Sequence, residues 1–346
     1  MRIAVYKDNL STGRGADRAV RNFAAGLAER GHEAILFEKG ELAARLDERW
    51  DAFVATGSNE IADLAAAAYF SKPGRAPVVL QLHLAPRGFF KWKHPLRNRA
   101  IRRAFDMPEA VQVLCASYKA EFSRIAPHPK VYTIGNYTEI AAPEDAQRQH
   151  FTEGTTILYP AAALTKVKNQ KLAIKAFSLL ADEFPEWCLR LLGRDDTRYA
   201  ADCRKLVSRL RLEDRVMFVG FTMDLASEYS KASFVAFPST LEGFPLAILE
   251  SARFSLPAVA QRTLPGAPDI ILDGKTGLIT DPSPRAYADG LRRLMMDASL
   301  RRKMGKMAHD HCENVYSREN ILNQWEELFS DVSFCAKPAT TNLRMM

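Results

Sequence analysis

The chain of 346 residues is 47% hydrophobic and 26% charged, an ordinary composition for a globular protein whose length suits two α/β domains better than one core. It contains no run of about 18 apolar residues and begins with a charged strand, so we expect neither a membrane-spanning helix nor a signal peptide, and we expect a cytoplasmic protein. The cysteines are odd in number and widely spaced, which argues against a disulfide framework or a zinc site and favours reduced thiols; they are Cys115, Cys188, Cys203, Cys312 and Cys335.

The first part of the chain predicts a Rossmann-like domain over residues 1–140. Residues 2–6 are predicted to form a buried strand, and a helix is expected from about Arg18 to Arg30 after a glycine-containing loop. Residues 33–37 start the next strand, and this order of strand, helix and strand is typical of a doubly wound parallel sheet. Further apolar strands are expected at residues 51–55, 77–82 and 111–116.

The net charge of +7 is concentrated in this first part. Residues 1–138 hold 21 Lys and Arg against 14 Asp and Glu, whereas the remaining residues hold 27 of each. Residues 87–103 form a basic patch with seven cations, no acid and three aromatics. The members expected at a membrane or acceptor surface are Arg87, Phe89, Phe90, Lys91, Trp92, Lys93 and Arg97.

Three interpretations of the basic patch stay open. Cations interleaved with aromatics suit an anionic membrane or a lipid-linked acceptor, because aromatic rings insert among the headgroups that the cations attract. A plain solvated helix face would show the same charges. Nucleic acid is the least favoured partner, since no recognisable binding module accompanies the patch, and we expect none.

A second α/β domain is predicted over residues 155–315, after a polar linker at 141–154. Its first strand is expected at residues 155–160, and strands and helices alternate from there. Helical spacing of apolar residues predicts a last helix at 316–330, and residues 334–346 are expected to form a flexible tail.

The most informative segment of this second domain is a buried strand at residues 234–237 that leads into a turn and a helix. We expect Gly243–Pro245 to form the turn, with Pro245 at the first helical position, and residues 246–254 to form the helix. In open α/β sheets, ligands bind where strands end in this way.

Backbone groups and carboxylates around this helix start suit a nucleotide-sugar. The N–H groups of Phe244, Leu246 and Ala247 would be largely unpaired at the positive end of the helix dipole, where a diphosphate is favoured. Glu242 in the turn can accept hydrogen bonds from sugar hydroxyls, and Glu250, about two turns along the helix, can accept them from a ribose diol. The alternative is that Glu242 only interacts favourably with the positive end of the helix dipole and that Glu250 is a solvated residue.

The two carboxylates resemble the Glu-x7-Glu element of retaining GT-B glycosyltransferases, specifically glycosyltransferase family 4. Other segments resemble the family's GxPVVA strand, its GGxxEIVxDGxxGLLV segment, its GxG turn and its DRVxFLG strand; in the same order they are residues 256–260, 265–278, 192–193 and 214–220. The resemblance covers roughly residues 1–330. It implies an α/β protein of the GT-B fold, in which two Rossmann-like doubly wound domains face a central cleft and the last helix crosses back to the first domain.

The resemblance also implies a cation for the diphosphate. Lys168 lies in a turn that resembles the family's GRLxxxKN motif, and Ala163 stands where that motif has its arginine. Half of the cationic clamp is therefore missing, and an Arg contact with phosphate is not replaced by any nearby charge automatically. Lys166 or Arg194 could substitute, and reduced activity, an unusual donor or a partly degenerate site stay open.

Further positions follow from the resemblance. Gly13 and Gly15 resemble the family's GGAE loop, where glycine lets the backbone approach the donor, although many turns use glycine simply for its conformational freedom. His83, at the carboxyl end of a predicted strand, resembles the histidine that faces the donor sugar, and the alternative is a structural histidine. The implied nucleotide-sugar site also includes Gly193, Val219 and Gly220.

These implications predict a retaining glycosyltransferase that moves a sugar from a nucleotide-sugar, expected to be a UDP-sugar, to a glycan or lipid-linked glycan in cell-surface polysaccharide or lipopolysaccharide biosynthesis. Glu242, Lys168 and His83 are the expected catalytic residues. We expect no metal or other cofactor, because Asp195 and Asp196 follow a turn that the family uses without metal. Retention implies front-face attack assisted by the leaving phosphate.

Other functions stay open beside this one. A catalytically weak GT-B protein could bind a nucleotide-sugar or glycan as an assembly partner, which the alanine at position 163 would permit. A sugar-nucleotide epimerase could use the same fold, whereas a phosphorylase would need a pyridoxal-binding lysine context that the sequence does not suggest. The partners expected are the donor, the acceptor and an anionic surface on the inner face of the membrane.

Overall fold

The structure is a computed structural model, and it describes residues 1–10, 15–86, 95–142 and 154–335. The chain divides into two units, each built on a parallel sheet. The first unit consists of Met1–Gly135 together with the helix that begins at Arg318, and the second unit consists of Asn136–Ser317. Alternating strands and helices predict parallel sheets of this kind.

The described part of the first unit contains a sheet of six parallel strands. In chain order they are β1 Arg2–Tyr6, β2 Glu33–Phe37, β3 Ala52–Ala55, β4 Val78–Gln81, β5 Ala110–Val113 and β6 Val131–Thr133. Their order across the sheet is β2-β1-β3-β4-β5-β6. Every residue of β3, β4 and β5 is buried, as is typical of strands in a parallel sheet that helices cover.

Helices connect these strands. They are α1 Gly15–Glu29, α2 Leu42–Arg45, α3 Ser58–Ala66, α4 Pro95–Asp106 and α5 Ala116–Ile125, with short 3-10 turns at Lys39–Glu41 and Tyr69–Ser71. The helix α1 begins three residues earlier than expected. Asp17 lies in its first turn, where a carboxylate interacts favourably with the positive end of the helix dipole. Its apolar side chains Val20, Phe23 and Leu27 are buried, as their helical spacing predicts.

The second unit has a sheet of the same size within its described residues. Its strands are β7 Thr156–Tyr159, β8 Cys188–Leu192, β9 Val216–Gly220, β10 Phe234–Phe237, β11 Ala258–Gln261 and β12 Gly277–Thr280. Their order across the sheet is β12-β11-β10-β7-β8-β9, and all neighbouring pairs are parallel. The chain therefore starts in the middle of the sheet at β7, builds outward to β9, and then crosses to the other side of β7 with β10.

The helices of the second unit are α6 Gln170–Ser178, α7 Arg198–Arg209, α8 Leu225–Ser230, α9 Leu246–Arg253, α10 Ala267–Ile270, α11 Pro284–Met296 and α12 Ala298–Tyr316. They alternate with the strands as the sequence predicts. No helix in the described ranges of either unit is long and apolar enough to cross a membrane.

The last helix, α13 Arg318–Cys335, packs on the first unit. The ring of Trp325 lies 4.5 Å from that of Phe23 on α1, centroid to centroid, and Trp325 is buried. Glu326 of the same helix accepts a hydrogen bond from Arg30 at 2.9 Å and lies 2.9 Å from a ring nitrogen of His32. Both an apolar contact and an ion pair therefore attach α13 to α1 and the turn that follows it.

Cysteine side chains lie mostly in the core. Cys115, Cys203 and Cys312 are buried and Cys188 is half-buried, and none of these four forms a disulfide. Burial raises the pKa of the Cys203 thiol to about 11 and that of the Cys312 thiol to about 12. Thiols with such pKa values stay protonated at neutral pH and react slowly.

Candidate active site

The central pair of strands in the second unit, β7 and β10, defines where its site lies. Phe234 of β10 pairs in parallel with Ile157 of β7, so both strands end at the same edge of the sheet. From β7 the chain adds β8 and β9 on one side of the sheet, and β10 then begins the other side. Such a switch in strand order leaves a crevice at the carboxyl ends of β7 and β10. The loop after β7 carries Lys168, and the loop after β10 carries Glu242.

Lys168 and Glu242 form a two-pronged ion pair in this crevice. The Lys168 Nζ lies 2.6 Å from Oε1 and 2.7 Å from Oε2 of Glu242, and the two side chains are 23% and 11% exposed. The ammonium also lies 5.9 Å from the centre of the Phe237 ring at the end of β10. The sequence predicts each residue in the site but not their pairing, because opposite charges 74 residues apart meet through the strand order alone.

Backbone hydrogen bonds hold the two loops together. The N–H and the hydroxyl of Thr240 both donate to the carbonyl of Val167, at 2.8 and 3.1 Å. The hydroxyl of Tyr159, at the end of β7, donates to the carbonyl of Lys168 at 2.6 Å. Burial raises the pKa of the Tyr159 phenol well above its ordinary value, so it remains a donor at neutral pH. The backbone of the Lys168 loop is therefore fixed by the strand beneath it and by the loop beside it, and Glu242 holds the ammonium.

The start of α9 differs in detail from the prediction. Pro245 is not the first helical residue, because its ψ of 70° lies outside the helical region, and it occupies the capping position instead. Its carbonyl accepts from the N–H of Ile248 at 2.9 Å. The expectation that the Leu246 N–H is unpaired is wrong, since it donates to the carbonyl of Phe244 at 2.8 Å. Gly243 is half-buried and the side chain of Phe244 is buried next to Tyr316.

Glu250 lies inside the protein rather than on a solvated face. It is 3% exposed, and its Oε2 accepts a hydrogen bond from the Tyr229 hydroxyl at 2.9 Å. Tyr229 of α8 is fully buried, stacks on Phe254 with 5.3 Å between ring centroids, and also lies 3.3 Å from the carbonyl of Ala247. The interpretation of Glu250 as a solvated residue is therefore wrong. The sequence does not single out Tyr229, because an aromatic residue with a polar tip just before a buried strand is only a weak signal of a site residue.

The loops that follow β7, β8 and β9 are joined at the same edge. The N–H of Gly193 donates to the carbonyl of Gly220 at 2.8 Å, and Gly193 has a φ of +117°. A Cβ at Gly193 would lie 2.6 Å from the carbonyl oxygen of Ala161 and 2.9 Å from the nitrogen of Ala163, closer than real contacts allow. Glycine is therefore required at this position both for its backbone conformation and for the close approach. Val219, like Gly220, is half-buried at the end of β9.

His83 follows β4 in the first unit, as expected. Both of its ring nitrogens are buried, and neither has a hydrogen-bond partner among the described residues. Burial, with a smaller contribution from nearby Lys7, lowers the pKa of His83 to about 3, and Asp17 acts in the opposite direction. The imidazole is therefore neutral at physiological pH, so it can donate or accept a hydrogen bond but carries no charge.

Several predicted positions lie outside the described residues. They are Gly13 of the first loop and Arg87, Phe89, Phe90, Lys91, Trp92 and Lys93 of the basic patch. Gly15 is the first residue of α1, and Arg97 belongs to α4 without a described side chain. Three arginines of α4 that complete the patch, Arg99, Arg102 and Arg103, are exposed.

The paired aspartates after β8 have different surroundings. Asp195 is half-buried and forms an ion pair with Arg204 of α7, whereas Asp196 is exposed. Within the described ranges, no group of three or more His, Cys, Asp or Glu side chains is placed to hold a metal ion.

Comparison with known proteins decides the family. Residues 142–311 match the family described as "Glycosyl transferases group 1". The chain belongs to this family. The resemblance to the group 1 glycosyltransferases, which are the GT-B enzymes of glycosyltransferase family 4, is thereby confirmed.

Two relatives show how far the similarity extends. The exopolysaccharide phosphotransferase SCO2592 of Streptomyces coelicolor is 33% identical over 206 residues, which is 59% of this chain and 21% of that protein. The N-acetyl-alpha-D-glucosaminyl L-malate synthase of Bacillus anthracis is 25% identical over 246 residues, 69% of this chain and 64% of that protein. The chain thus spans less than two thirds of the length of these curated relatives.

A solved structure shows the fold. The Anabaena protein HepE, solved in complex with UDP and glucose, has a TM-score of 0.79 and 19% identity, covering 96% of this chain and 100% of that chain. At this identity the similarity concerns the fold alone. The fold of this chain is GT-B, as the sequence predicts.

Proposed function

We propose that this protein is a retaining glycosyltransferase that transfers a sugar from a UDP-sugar to a glycan or lipid-linked glycan. The observation that carries the proposal is the meeting of Lys168, Glu242 and the start of α9 at the switch point of the second sheet. Family membership gives the reaction class its support, and the complex of HepE with UDP supports uridine as the base.

Each group of the site has a proposed partner on the donor. The diphosphate lies against the start of α9 and the Lys168 ammonium, because helix dipole and cation both favour negative charge there. The Glu250 carboxylate, fixed by Tyr229, accepts from the ribose diol, and Glu242 accepts from hydroxyls of the sugar. The backbone at Val219 and Gly220 faces the base.

The reaction breaks the bond between the anomeric carbon and the phosphate oxygen. The acceptor hydroxyl attacks from the face that the diphosphate leaves, its oxygen forms the new glycosidic bond, and its proton passes to the departing phosphate. Negative charge grows on the diphosphate during this step, and a cation already in place stabilises it without reorganisation. Lys168 is the proposed cation. His83, neutral in the folded protein, is the proposed hydrogen-bonding partner of the donor sugar.

Donor binding and transfer can be tested separately. A thermal-shift screen with UDP, GDP, ADP and their sugars identifies the base, since a ligand at 100 times its Kd stabilises by about 2.7 kcal/mol. Release of free UDP on addition of acceptor then reports transfer. We expect Lys168→Met to lower turnover by about 10²-fold or more. The matched control is Lys175→Met, an exposed lysine on the neighbouring helix α6.

The outcomes separate this function from its alternatives. If UDP stabilises the protein but no acceptor causes release of free UDP from the UDP-sugar, the result would favour a nucleotide-sugar-binding assembly partner, which the uncharged Ala163 permits. Conversion of the donor sugar without acceptor would favour an epimerase. If no nucleotide stabilises the protein, the proposed function is wrong.

For the acceptor side, we propose that the basic patch of residues 87–103 contacts an anionic membrane surface that carries a lipid-linked acceptor. Three exposed arginines of α4 belong to this patch. The protein should co-sediment with anionic vesicles, and added salt should weaken this binding because the attraction is screened over about 8 Å at physiological ionic strength. Replacing Phe89, Phe90 and Trp92 with Ser should lower vesicle binding and leave UDP affinity unchanged. Absence of vesicle binding at low salt would leave a soluble glycan as the acceptor.

A further inference from the structure

The donor site of the second unit has less positive charge than a diphosphate requires. A nucleotide-sugar carries one negative charge on each phosphate, whereas the Lys168 ammonium is matched by the Glu242 carboxylate at 2.6 Å. Ala163, in the loop after β7, contributes no charge. A second cation at this edge would stabilise both the bound donor and the departing diphosphate.

Arg194 is placed next to Ala163 by a parallel bridge between the loops that follow β7 and β8. The N–H of Arg194 donates to the carbonyl of Ala162 at 3.0 Å, and the N–H of Leu164 donates to the carbonyl of Arg194 at 2.9 Å. Paired residues of neighbouring parallel segments project from the same face of a sheet. The side chain of Arg194 therefore leaves the backbone on the face where an arginine at position 163 would leave it.

The close approach of Gly193 makes this placement rigid. The Ala161 carbonyl and the Ala163 nitrogen occupy the space where a Cβ of residue 193 would lie, and the N–H of Gly193 donates to the carbonyl of Gly220. Arg194 directly follows this constrained residue, so the start of its side chain is fixed relative to the loop after β7. Ligand binding at such a position costs entropy of the side chain but not of the backbone.

The guanidinium of Arg194 is available for a ligand. Arg194 is exposed, and in the described part of the chain no ion pair or side-chain hydrogen bond engages it. Neighbouring arginines are committed elsewhere: Arg190 of β8 binds Glu228 at 2.7 Å, and Arg204 of α7 pairs with Asp195. Lys166 is also exposed, but the bridge that places a residue beside Ala163 involves Arg194 and not Lys166.

We propose that Arg194 is the second cation of the donor site and contacts the diphosphate from the loop after β8, in place of a charge at position 163. The proposal rests on the proposed function. A guanidinium can bind phosphate oxygens through two parallel hydrogen bonds, which a lysine cannot. The clamp on the diphosphate is then Lys168 from one loop and Arg194 from the next.

The test compares three variants by their affinity for UDP and for uridine. Arg194→Ala should weaken UDP binding about 10- to 100-fold and leave uridine binding unchanged, because uridine has no phosphate. Lys166→Ala, the matched control, should change the Kd for UDP less than about threefold. The double variant Ala163→Arg with Arg194→Ala should recover at least about tenfold in UDP affinity, because it returns the cation to the partner position of the same bridge. Arg194→Gln, which keeps the length and polarity of the side chain, replaces Arg194→Ala if the latter does not fold.

Failure of this proposal is distinguishable from failure of the proposed function. If the wild-type protein binds UDP, Lys168→Met weakens this binding, and Arg194→Ala stays within about twofold of the wild type, the site is real and Arg194 is not part of it. Equal losses for UDP and uridine in Arg194→Ala would indicate a structural role and would also overturn the proposal. If the wild-type protein binds no nucleotide, both proposals fail.

Discussion

Substituting Tyr229 with Phe tests whether the buried carboxylate of Glu250 is positioned for a ribose. The variant removes one oxygen from a fully buried side chain and keeps its ring, so the stack on Phe254 is retained. It deletes the 2.9 Å hydrogen bond to Glu250 and the longer 3.3 Å contact with the carbonyl of Ala247. The carboxylate thereby loses a donor that fixes its orientation, although it stays inside the protein.

The magnitude follows from the type of bond. A hydrogen bond to a charged group contributes about 1.5–3 kcal/mol, so the free energy of unfolding should fall by about that amount. For a unit of this size, the melting temperature should fall by about 3–12 °C. We expect UDP to bind about three- to tenfold more weakly, because a carboxylate that has lost the Tyr229 hydrogen bond orients the diol less well. A UDP analogue without the ribose 2′ and 3′ hydroxyls should show no change, since it has no diol to lose.

The assay is isothermal titration of both nucleotides together with urea unfolding, and Tyr287→Phe is the control. Tyr287 is equally buried and donates to the carbonyl of Val259 at 2.7 Å, a neutral bond in another part of the sheet. Its loss should cost about 0.5–1.5 kcal/mol and leave the ratio of the two nucleotide affinities unchanged. If Tyr229→Phe weakens both nucleotides equally, or neither, Tyr229 does not position a ribose-binding group.

Further predictions concern the backbone, a histidine and the thiols. Gly193→Ala should destabilise the protein by at least about 2–3 kcal/mol in urea unfolding and abolish UDP binding, because its Cβ would lie 2.6 Å from the Ala161 carbonyl at a φ of +117°; a variant as stable as the wild type would contradict the observed close approach. Burial lowers the folded-state pKa of His83 to about 3 from an ordinary value of 6.5, so below pH 6.5 the unfolded chain binds the extra proton and stability falls as the pH drops toward 3, by up to about 1.4 kcal/mol per pH unit. Unfolding curves of wild type and His83→Gln at several pH values should therefore diverge below pH 6.5, and parallel pH profiles would show that the histidine is not buried in its neutral form. Burial raises the pKa of the Cys203 and Cys312 thiols to about 11 and about 12, so mass spectrometry after iodoacetamide treatment at neutral pH should find both unmodified in the native protein and modified after unfolding.

The sequence predicts the parts of the fold that rest on local patterns. Strands β1, β2 and β10 have the predicted bounds, because continuous apolar runs flanked by turn residues define them. Strand β5 ends at Val113, three residues before the predicted end. The helix α9 begins at Leu246 as predicted, but Pro245 is the cap and not its first residue, since proline suits both positions. Boundaries set by one backbone angle leave no pattern in the sequence.

For the candidate site, the sequence predicts individual residues but not the contacts between them. Glu242, Glu250 and Lys168 were predicted individually, from motifs and from the chemistry of helix starts. Their partners were not predicted, because the pairs Lys168–Glu242 and Tyr229–Glu250 depend on which strands and helices become neighbours. Arg194 was one of two candidates in the sequence, and the bridge to Ala163 distinguishes it from Lys166.

The attachment of α13 to the first unit has a consequence for biosynthesis. The second unit is an insertion in the chain of the first, so Phe23 leaves the ribosome long before Trp325, the residue that covers it. At about 5–20 residues per second, translation of residues 136–317 takes about 10–35 s. During that interval the nascent first unit exposes an apolar face of α1, while the second unit can already fold. A chaperone that binds apolar segments should therefore associate with nascent chains that end before Arg318, and should be released once α13 has emerged.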